Sequence, residues 1–339
     1  MNNYIILFSL LVVTNLSFII FYKNISNFIN LFDYPDFKRK LHKKKVFLGG
    51  GVLFKLNLLT LIILLFFNNF LDKNYFYSLK SYITFFIIPF FLFIIGLFDD
   101  KKNLSANTKL ILVSIVIYFA ITIDNDLLIT EIRFSNLEKI FYLSNFSTAF
   151  SVLCFLLFIN AFNMFDGINL QAGFYSLLIF AIFLFNDVLS LLSIFFLFII
   201  FTYLILNYLK KIFFGESGCI LISYFISYFF IKSYIIQKTF MADQIILYLL
   251  FPGLDLFRLF IYRIVNKKNP FIADTNHLHH LLLKKYNATK VFIIIFLSYF
   301  IPILVANSLN NYYLGIILII INYISLLIIY GKKRSAIQH

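Results

Sequence analysis

Apolar runs of spanning length recur along almost the whole chain. They lie at roughly 3–22, 49–70, 81–98, 107–123, 147–163, 170–186, 187–206, 218–235, 244–262, 291–308 and 314–330. A helix needs about 20 mostly apolar residues to cross a bilayer core. The pattern therefore predicts an all-α polytopic membrane protein, a bundle of about 10–11 transmembrane helices. Only Asn186-Asp187 separates the sixth run from the seventh. Segment 124–146 is less apolar and carries Asp124, Asp126, Glu131 and Glu138. It predicts an external loop with a hairpin at Thr130–Phe134.

Eleven spans would use roughly 220 residues at that length. What remains of the 339 is loop, so the chain reads as one integral membrane domain, 1–339, with its chemistry on short loops or inside the bundle. Composition agrees: 62% of residues are hydrophobic and 13% charged. That excludes a soluble globular enzyme, a disordered chain and a disulfide scaffold. Cys154 and Cys219 lie in or beside apolar runs, with no CxxC or zinc-type spacing.

The net charge of +14 would suit nucleic acid, but its distribution points to a membrane instead. Alternate loops on one side, with Arg258 at a helix end, carry 22 of the 29 Lys and Arg residues, and the other side carries 6. The positive-inside rule makes the richer side cytoplasmic. The N-terminus is then expected outside and the C-terminus inside. No Lys or Arg precedes the first apolar run, so a cleaved signal peptide is not expected. No nucleic-acid partner is expected.

Five polar features stand out. Asp99 and Asp100 close the third span in GLFDDKKNLSANTK. Adjacent carboxylates at a helix C-terminus are disfavoured by repulsion and by the macrodipole, so a cation is expected beside them. Lys101, Lys102 or a divalent metal would serve. Otherwise the pair is a solvated boundary. In NAFNMFDGIN, Asn160, Asn163 and Asp166 recur every three residues and form one polar stripe on a helix. The simpler alternative is a helix-end cap.

In FFGESG, Gly215 and Gly218 flank Glu216 at the start of a span. Such a helix N-terminus offers amides to a phosphate, unless Glu216 is an ordinary first-turn acid. In PFIADTNHLHH, three of five histidines, His277, His279 and His280, fall within four residues. Asp274 lies three residues before His277. If this segment is helical, His277 and His280 share a face and His279 points elsewhere. The readings are phosphate contact, metal contact or a helix surface without a role. Asp255, inside the ninth span, is a functional candidate by its depth, or half of a structural pair with Arg258 one turn on. Lys55, inside the second span, is assigned no role. All but Asp255 fall on the cytoplasmic side, which suggests phosphoryl transfer at the interface.

In this order the motifs resemble the polyprenyl-phosphate N-acetylhexosamine-1-phosphate transferase family. The resemblance runs from Asp33 to Lys285. DYPDFKRKLHKKKVFLGGG is similar to the family's first cytoplasmic loop, and LFDDKKNLSANTK to its Asp-Asp motif with a downstream Lys. NAFNMFDGI resembles its NxxNxxDG motif and FFGESG its FxGDxG loop. PGLD and FIADTNHLHHLL resemble its Pro-x-x-Asp and His-x-His-His elements. The His-x-His-His form is similar to the branch using UDP-N-acetylglucosamine and related UDP-sugars.

The resemblance implies transfer of a sugar-1-phosphate from a UDP-sugar to undecaprenyl phosphate, with release of UMP. It implies catalytic cytoplasmic loops at the inner (plasma) membrane and a Mg²⁺ cofactor, with Mn²⁺ as an alternative. Asp99 and Asp100 would be the catalytic carboxylates, with Asp100 and Glu216 at the metal. Asn160, Asn163, Asp166 and Asp274 would bind substrate. Lys109 with His277, His279 and His280 would contact phosphates. A homodimer stays open.

Three departures bear on sugar choice and rate. Glu216 replaces Asp, Asn169-Leu170 replaces the usual Asp-Gly, and Lys45 and Phe47 stand where the family often has prolines. The alternatives are a phospho-MurNAc-pentapeptide transferase, a secondary transporter and a non-catalytic scaffold. A transporter should show paired halves and midplane charges. A scaffold has no need of four polar motifs on one face.

Overall fold

The computed structural model describes residues 2–35, 44–67, 71–267 and 276–334. Its long helices follow the apolar runs one for one. They are α1 (Asn2–Ile29), α2 (Gly50–Phe67), α3 (Leu79–Tyr82) running through a π-helical turn into α4 (Ile88–Lys102), and α5 (Ala106–Ile123). Next come α6 (Ser147–Phe165), α7 (Gln171–Phe185), α8 (Ser190–Tyr208), α9 (Gly215–Lys232) and α10 (Ala242–Val265). A short helix, α11 (Leu278–Leu283), precedes α12 (Ala288–Leu309) and α13 (Tyr312–Arg334).

Among the described residues, nine helices are long and apolar enough to cross a membrane. The apolar parts of α2 (Gly50–Leu65) and α7 (Gln171–Phe185) are shorter. The break between α7 and α8 falls at the expected Asn186-Asp187, and Asp187 and Leu189 both take left-handed backbone there (φ 55° and 45°). The chain is a multi-pass all-α membrane protein.

Helix α9 is the axis of the bundle. In its span 89% of residues are buried by protein, against 22% in α1, α5 and α13. It packs against α2, α4 and α6. A helix apolar all round belongs in an interior, and GESGCILISYFISYFFIK is one. The peripheral helices leave leucine, isoleucine and phenylalanine exposed, as lipid-facing surfaces require.

Two residues set how closely α9 is held. A Cβ on Gly51 of α2 would lie 2.4 Å from Ser217 Oγ, and one on Gly96 of α4 would lie 2.3 Å from Ser217 Cα. Only glycine lets three helices meet around Ser217.

The few strands are two residues long. Phe32–Asp33 (β1) pairs antiparallel with Val46–Phe47 (β2). In the expected external loop, Glu131–Ile132 (β3) pairs with Phe141–Tyr142 (β4). The hairpin is therefore wider than Thr130–Phe134, because its return strand lies beyond the Phe134–Leu137 turn.

At the end of the bundle away from the motifs, Lys232 closes α9. It is fully buried, with Asp124 at 2.8 Å and Asp126 at 3.0 Å. Lys55 of α2 lies over the Phe90 ring, 4.6 Å from its centroid.

Candidate active site

The site is assembled around the first turn of α9. The FFGESG loop is pinned before that helix begins. Phe213 donates its amide to Phe47 O (2.9 Å), and Gly50 donates to Phe213 O (3.0 Å). The buried Phe214 ring stacks on Tyr203 with centroids 3.7 Å apart. Gly215 turns the chain with φ +68°, and a Cβ there would sit 2.9 Å from both Asp100 carboxylate oxygens. This places Asp100 on the α9 N-terminus. Its Oδ1 accepts from Glu216 N (2.7 Å), and its Oδ2 accepts from Ser217 N (3.1 Å) and Ser217 Oγ (2.7 Å).

This geometry corrects two expectations. Two of the amides expected to meet a phosphate, those of Glu216 and Ser217, are taken by Asp100. Beside the Asp-Asp pair, the α9 dipole faces Asp100, and Lys109 rather than Lys101 or Lys102 faces Asp99. Lys109 Nζ lies 2.9 Å from Asp99 Oδ2, and Asp99 Oδ1 accepts from Leu104 N (2.7 Å). Lys101 and Lys102 are exposed.

Lys109 also reaches Glu216 Oε2 at 2.8 Å, and Asn163 Nδ2 donates to the same oxygen at 2.8 Å. Lys109, Asn163 and Glu216 thus form one knot joining α5, α6 and α9. They line a recess with Asn160, Val113 and Ile159. Asn160 Nδ2 is tied to Leu156 O of its own helix (2.7 Å).

The third member of the stripe, Asp166, is the residue after α6 and lies one turn further along α9. Cys219 Sγ donates to its Oδ2 at 3.4 Å. Burial pushes the Asp166 carboxyl up to about 7; the Cys219 bond opposes this and the nearby Glu216 charge adds to it.

Gly167 then carries the histidine loop. A Cβ there would lie 2.0 Å from His279 Cε1 and Nε2, so the ring lies directly on the glycine. Burial, with His280 and His277 beside it, lowers the His279 pKa to about 3. The ring is neutral at physiological pH. The rings of His277 and His279 stack 5.5 Å apart at 12°. The histidines therefore do not divide as a regular helix would: His277 precedes α11, and it is His279 that reaches the NxxNxxDG loop.

Asp255 is not a bare intramembrane acid. Its Oδ2 lies 3.0 Å from His277 Nδ1, and its Oδ1 accepts from Arg258 Nη2 and Tyr323 OH, both at 2.7 Å. Asp274 and loop residues 36–43 lie outside the described residues.

Sequence reasoning missed Asn207. Its Oδ1 accepts from Leu170 N (2.8 Å) and its Nδ2 donates to Ile212 O (2.9 Å), tying two motif loops together. The signal was present, since Asn207 is a polar residue at the end of a strongly apolar run. Leu170, where the family usually has glycine, takes φ +72°.

Lys109 pairs with Asp99 and Glu216, while Asp100 accepts from Glu216 N and Ser217 and Asp166 accepts from Cys219. Among the described residues, Glu216 Oε1 and Asp166 Oδ1 accept no hydrogen bond, and Glu216 is partly exposed. Mg²⁺ commonly takes one or two carboxylates together with substrate phosphates. The donor set fits such an ion. No three His, Cys, Asp or Glu among the described residues form an all-protein metal cage.

Fold and site together define a multi-pass membrane protein whose polar centre is built from helix ends at one face of the bundle. The model of glycosyl transferase family 4 matches residues 82–234, which include the Asp-Asp, NxxNxxDG and FFGESG motifs. The chain is similar to this family over those 153 of its 339 residues. It is 27% identical over 274 residues to an undecaprenyl-phosphate alpha-N-acetylglucosaminyl 1-phosphate transferase of Thermotoga maritima, covering 78% of this chain and 76% of the relative.

Proposed function

We propose that this protein transfers an N-acetylhexosamine-1-phosphate from a UDP-sugar to undecaprenyl phosphate at the cytoplasmic face of the plasma membrane. N-acetylglucosamine-1-phosphate, or the phosphate of a related sugar, is the group moved. The observation that carries this reading is the meeting of the Asp-Asp, NxxNxxDG and FxGDxG-like motifs at the α9 first turn, with the histidine loop seated against the second of them.

An oxygen of the lipid phosphate attacks the sugar-bearing phosphorus of the UDP-sugar. The bond from that phosphorus to the bridging oxygen breaks, and UMP leaves. The product is a lipid-linked diphosphate sugar. The nucleophile is already an anion, so the site's task is to align two phosphates and offset their charge.

Asp100 fixes the start of α9 and therefore the position of Glu216. Lys109 and Asn163 hold Glu216 Oε2, leaving Oε1 directed to a ligand's needs. Asn160 and Asn163, which line the recess beside Lys109 and Glu216, would offer amide oxygens to the hydroxyls of a sugar or nucleotide. Glu216 and Asp166, with Asp100 behind them, would hold Mg²⁺. When bound, that ion would neutralise charge on the diphosphate and on the leaving UMP.

Membranes containing the protein, supplied with undecaprenyl phosphate, Mg²⁺ and radiolabelled UDP-N-acetylglucosamine, are expected to form a labelled lipid. Added UMP should reverse the reaction. Absence of labelled lipid with every UDP-N-acetylhexosamine would overturn the reading.

A further inference from the structure

Asp255 lies in α10, where a simple ion pair with Arg258 would occupy one oxygen. The geometry is richer. Arg258 Nη2 donates to Oδ1 at 2.7 Å and also to Asn276 O at 2.6 Å, holding the chain just before the histidines. Arg258 Nε donates to Tyr323 OH (2.7 Å), and that hydroxyl in turn donates a hydrogen bond to Asp255 Oδ1 (2.7 Å). The amide of Leu278, the first residue of α11, approaches both carboxylate oxygens at 3.3 and 3.4 Å. The remaining oxygen direction is filled by His277 Nδ1 at 3.0 Å.

A carboxylate beside a guanidinium is an acceptor only. The Nδ1 atom of His277 must therefore be the donor, and Nε2, which makes no hydrogen bond among the described residues, is the end left for a ligand. Which ring nitrogen carries the proton is set by the bond the other makes.

We propose that Asp255 is the positioning residue of the histidine loop, presenting His277 to a phosphate-bearing substrate through Nε2 and anchoring α11 to α10 and α13. This rests on the transferase reading for its substrate, although the imidazole geometry stands apart from it.

Two measurements test the inference. The first is ¹⁵N NMR of histidine-labelled full-length protein in detergent at pH 8, with the His277 signals assigned by loss in His277→Gln. A protonated Nδ1 is expected; a bare Nδ1 overturns the proposal whether or not any transferase activity is found. The second is a cycle of Asp255→Asn, His277→Ala and the double variant in the UDP-sugar assay, with folding followed by size-exclusion chromatography.

Asp255→Asn is expected to lose about 10- to 100-fold, the usual cost of removing a carboxylate that orients a functional histidine. In the His277→Ala background the same change should cost less than about 3-fold, because the residue it acts through is gone. Full activity in a folded Asp255→Asn, or losses that multiply in the double variant, would overturn it. An inactive parent with protonated Nδ1 would instead reject the assigned substrates and leave the positioning intact.

Discussion

Asp100 of α4 caps α9 in trans, accepting the Glu216 amide at 2.7 Å across 116 residues of sequence. An acid that would be unfavourable at the end of its own helix is thereby stabilised by the start of another. The same contact sets where the Glu216 side chain leaves the α9 backbone.

Asp100→Asn is therefore expected to act twice. Its amide nitrogen would face donors, and the charge opposite the α9 dipole would be lost, costing about 1–2 kcal/mol of stability. The rate should fall about a hundredfold or more, since several kcal/mol of electrostatic stabilisation depend on this corner. Asp99→Asn should cost a similar factor in rate through Lys109, with less loss of α9 anchoring. Thermal unfolding in detergent, measured with exchange rates, checks both. Near-normal rates in the two variants would remove these acids from the mechanism.

Glu216 is tied to Lys109 and Asn163 by one oxygen. Glu216→Gln should keep much of that knot but weaken Mg²⁺ binding, so more Mg²⁺ is needed for half-maximal rate. Glu216→Asp should retain substantial activity, because a hard carboxylate oxygen is preserved. Rate against Mg²⁺ concentration for the three proteins decides. Superimposable curves for Glu216→Gln and the parent would remove Glu216 from the metal site.

Gly167→Ala is expected to displace His279, whose ring atoms lie 2.0 Å from the added carbon. Overpacking of this kind costs about 1–3 kcal/mol. Adding His279→Ala should restore the unfolding temperature, but not the rate. An unperturbed Gly167→Ala protein would show that the histidine loop does not rest on this glycine.

Leu170 occupies left-handed backbone at φ +72°, for which a Cβ costs roughly 1–2 kcal/mol. Leu170→Gly should raise the unfolding temperature modestly, because the gain is partly offset by the looser unfolded chain. A lowered temperature would mean that the packing of the leucine side chain outweighs the strain.

Asp166 provides a pH signature. Its carboxyl is pushed up to about 7, so between the ordinary carboxylate range and that value the folded protein holds a proton the unfolded chain releases. Without Mg²⁺, stability should be greatest below that range and fall as pH rises through about 7. Asp166→Asn should flatten this part of the curve. Unfolding temperature against pH for the two proteins is the measurement; identical slopes would place the titration elsewhere.

The candidate site was legible in unequal parts. Asp99, Asp100, Asn163, Asp166 and Glu216 are visible as polar residues at the ends of strongly apolar runs, and the histidines as three within four residues. Their partners were less visible. Lys109 lies between two carboxylates, Asp99 and Glu216, the second of them 107 residues away. Asp255 was readable as a pair with Arg258 because that partner is one helical turn on. Its bond to His277 spans 22 residues and a change of direction, which no helical spacing encodes.

The sequence by itself determined the number and order of the apolar helices and the loops that carry the chemistry. Transfer of a segment into a bilayer is nearly a sum over its own residues, so it can be read locally. The motifs were likewise contiguous strings. Tertiary structure alone decided that α9 is the axis, that two of its amides are spent on Asp100, and that Gly167 supports His279. Those outcomes depend on close approach between helices distant in sequence. A hydrogen bond or a steric contact is decided within an ångström, and only the packed bundle sets distances that finely.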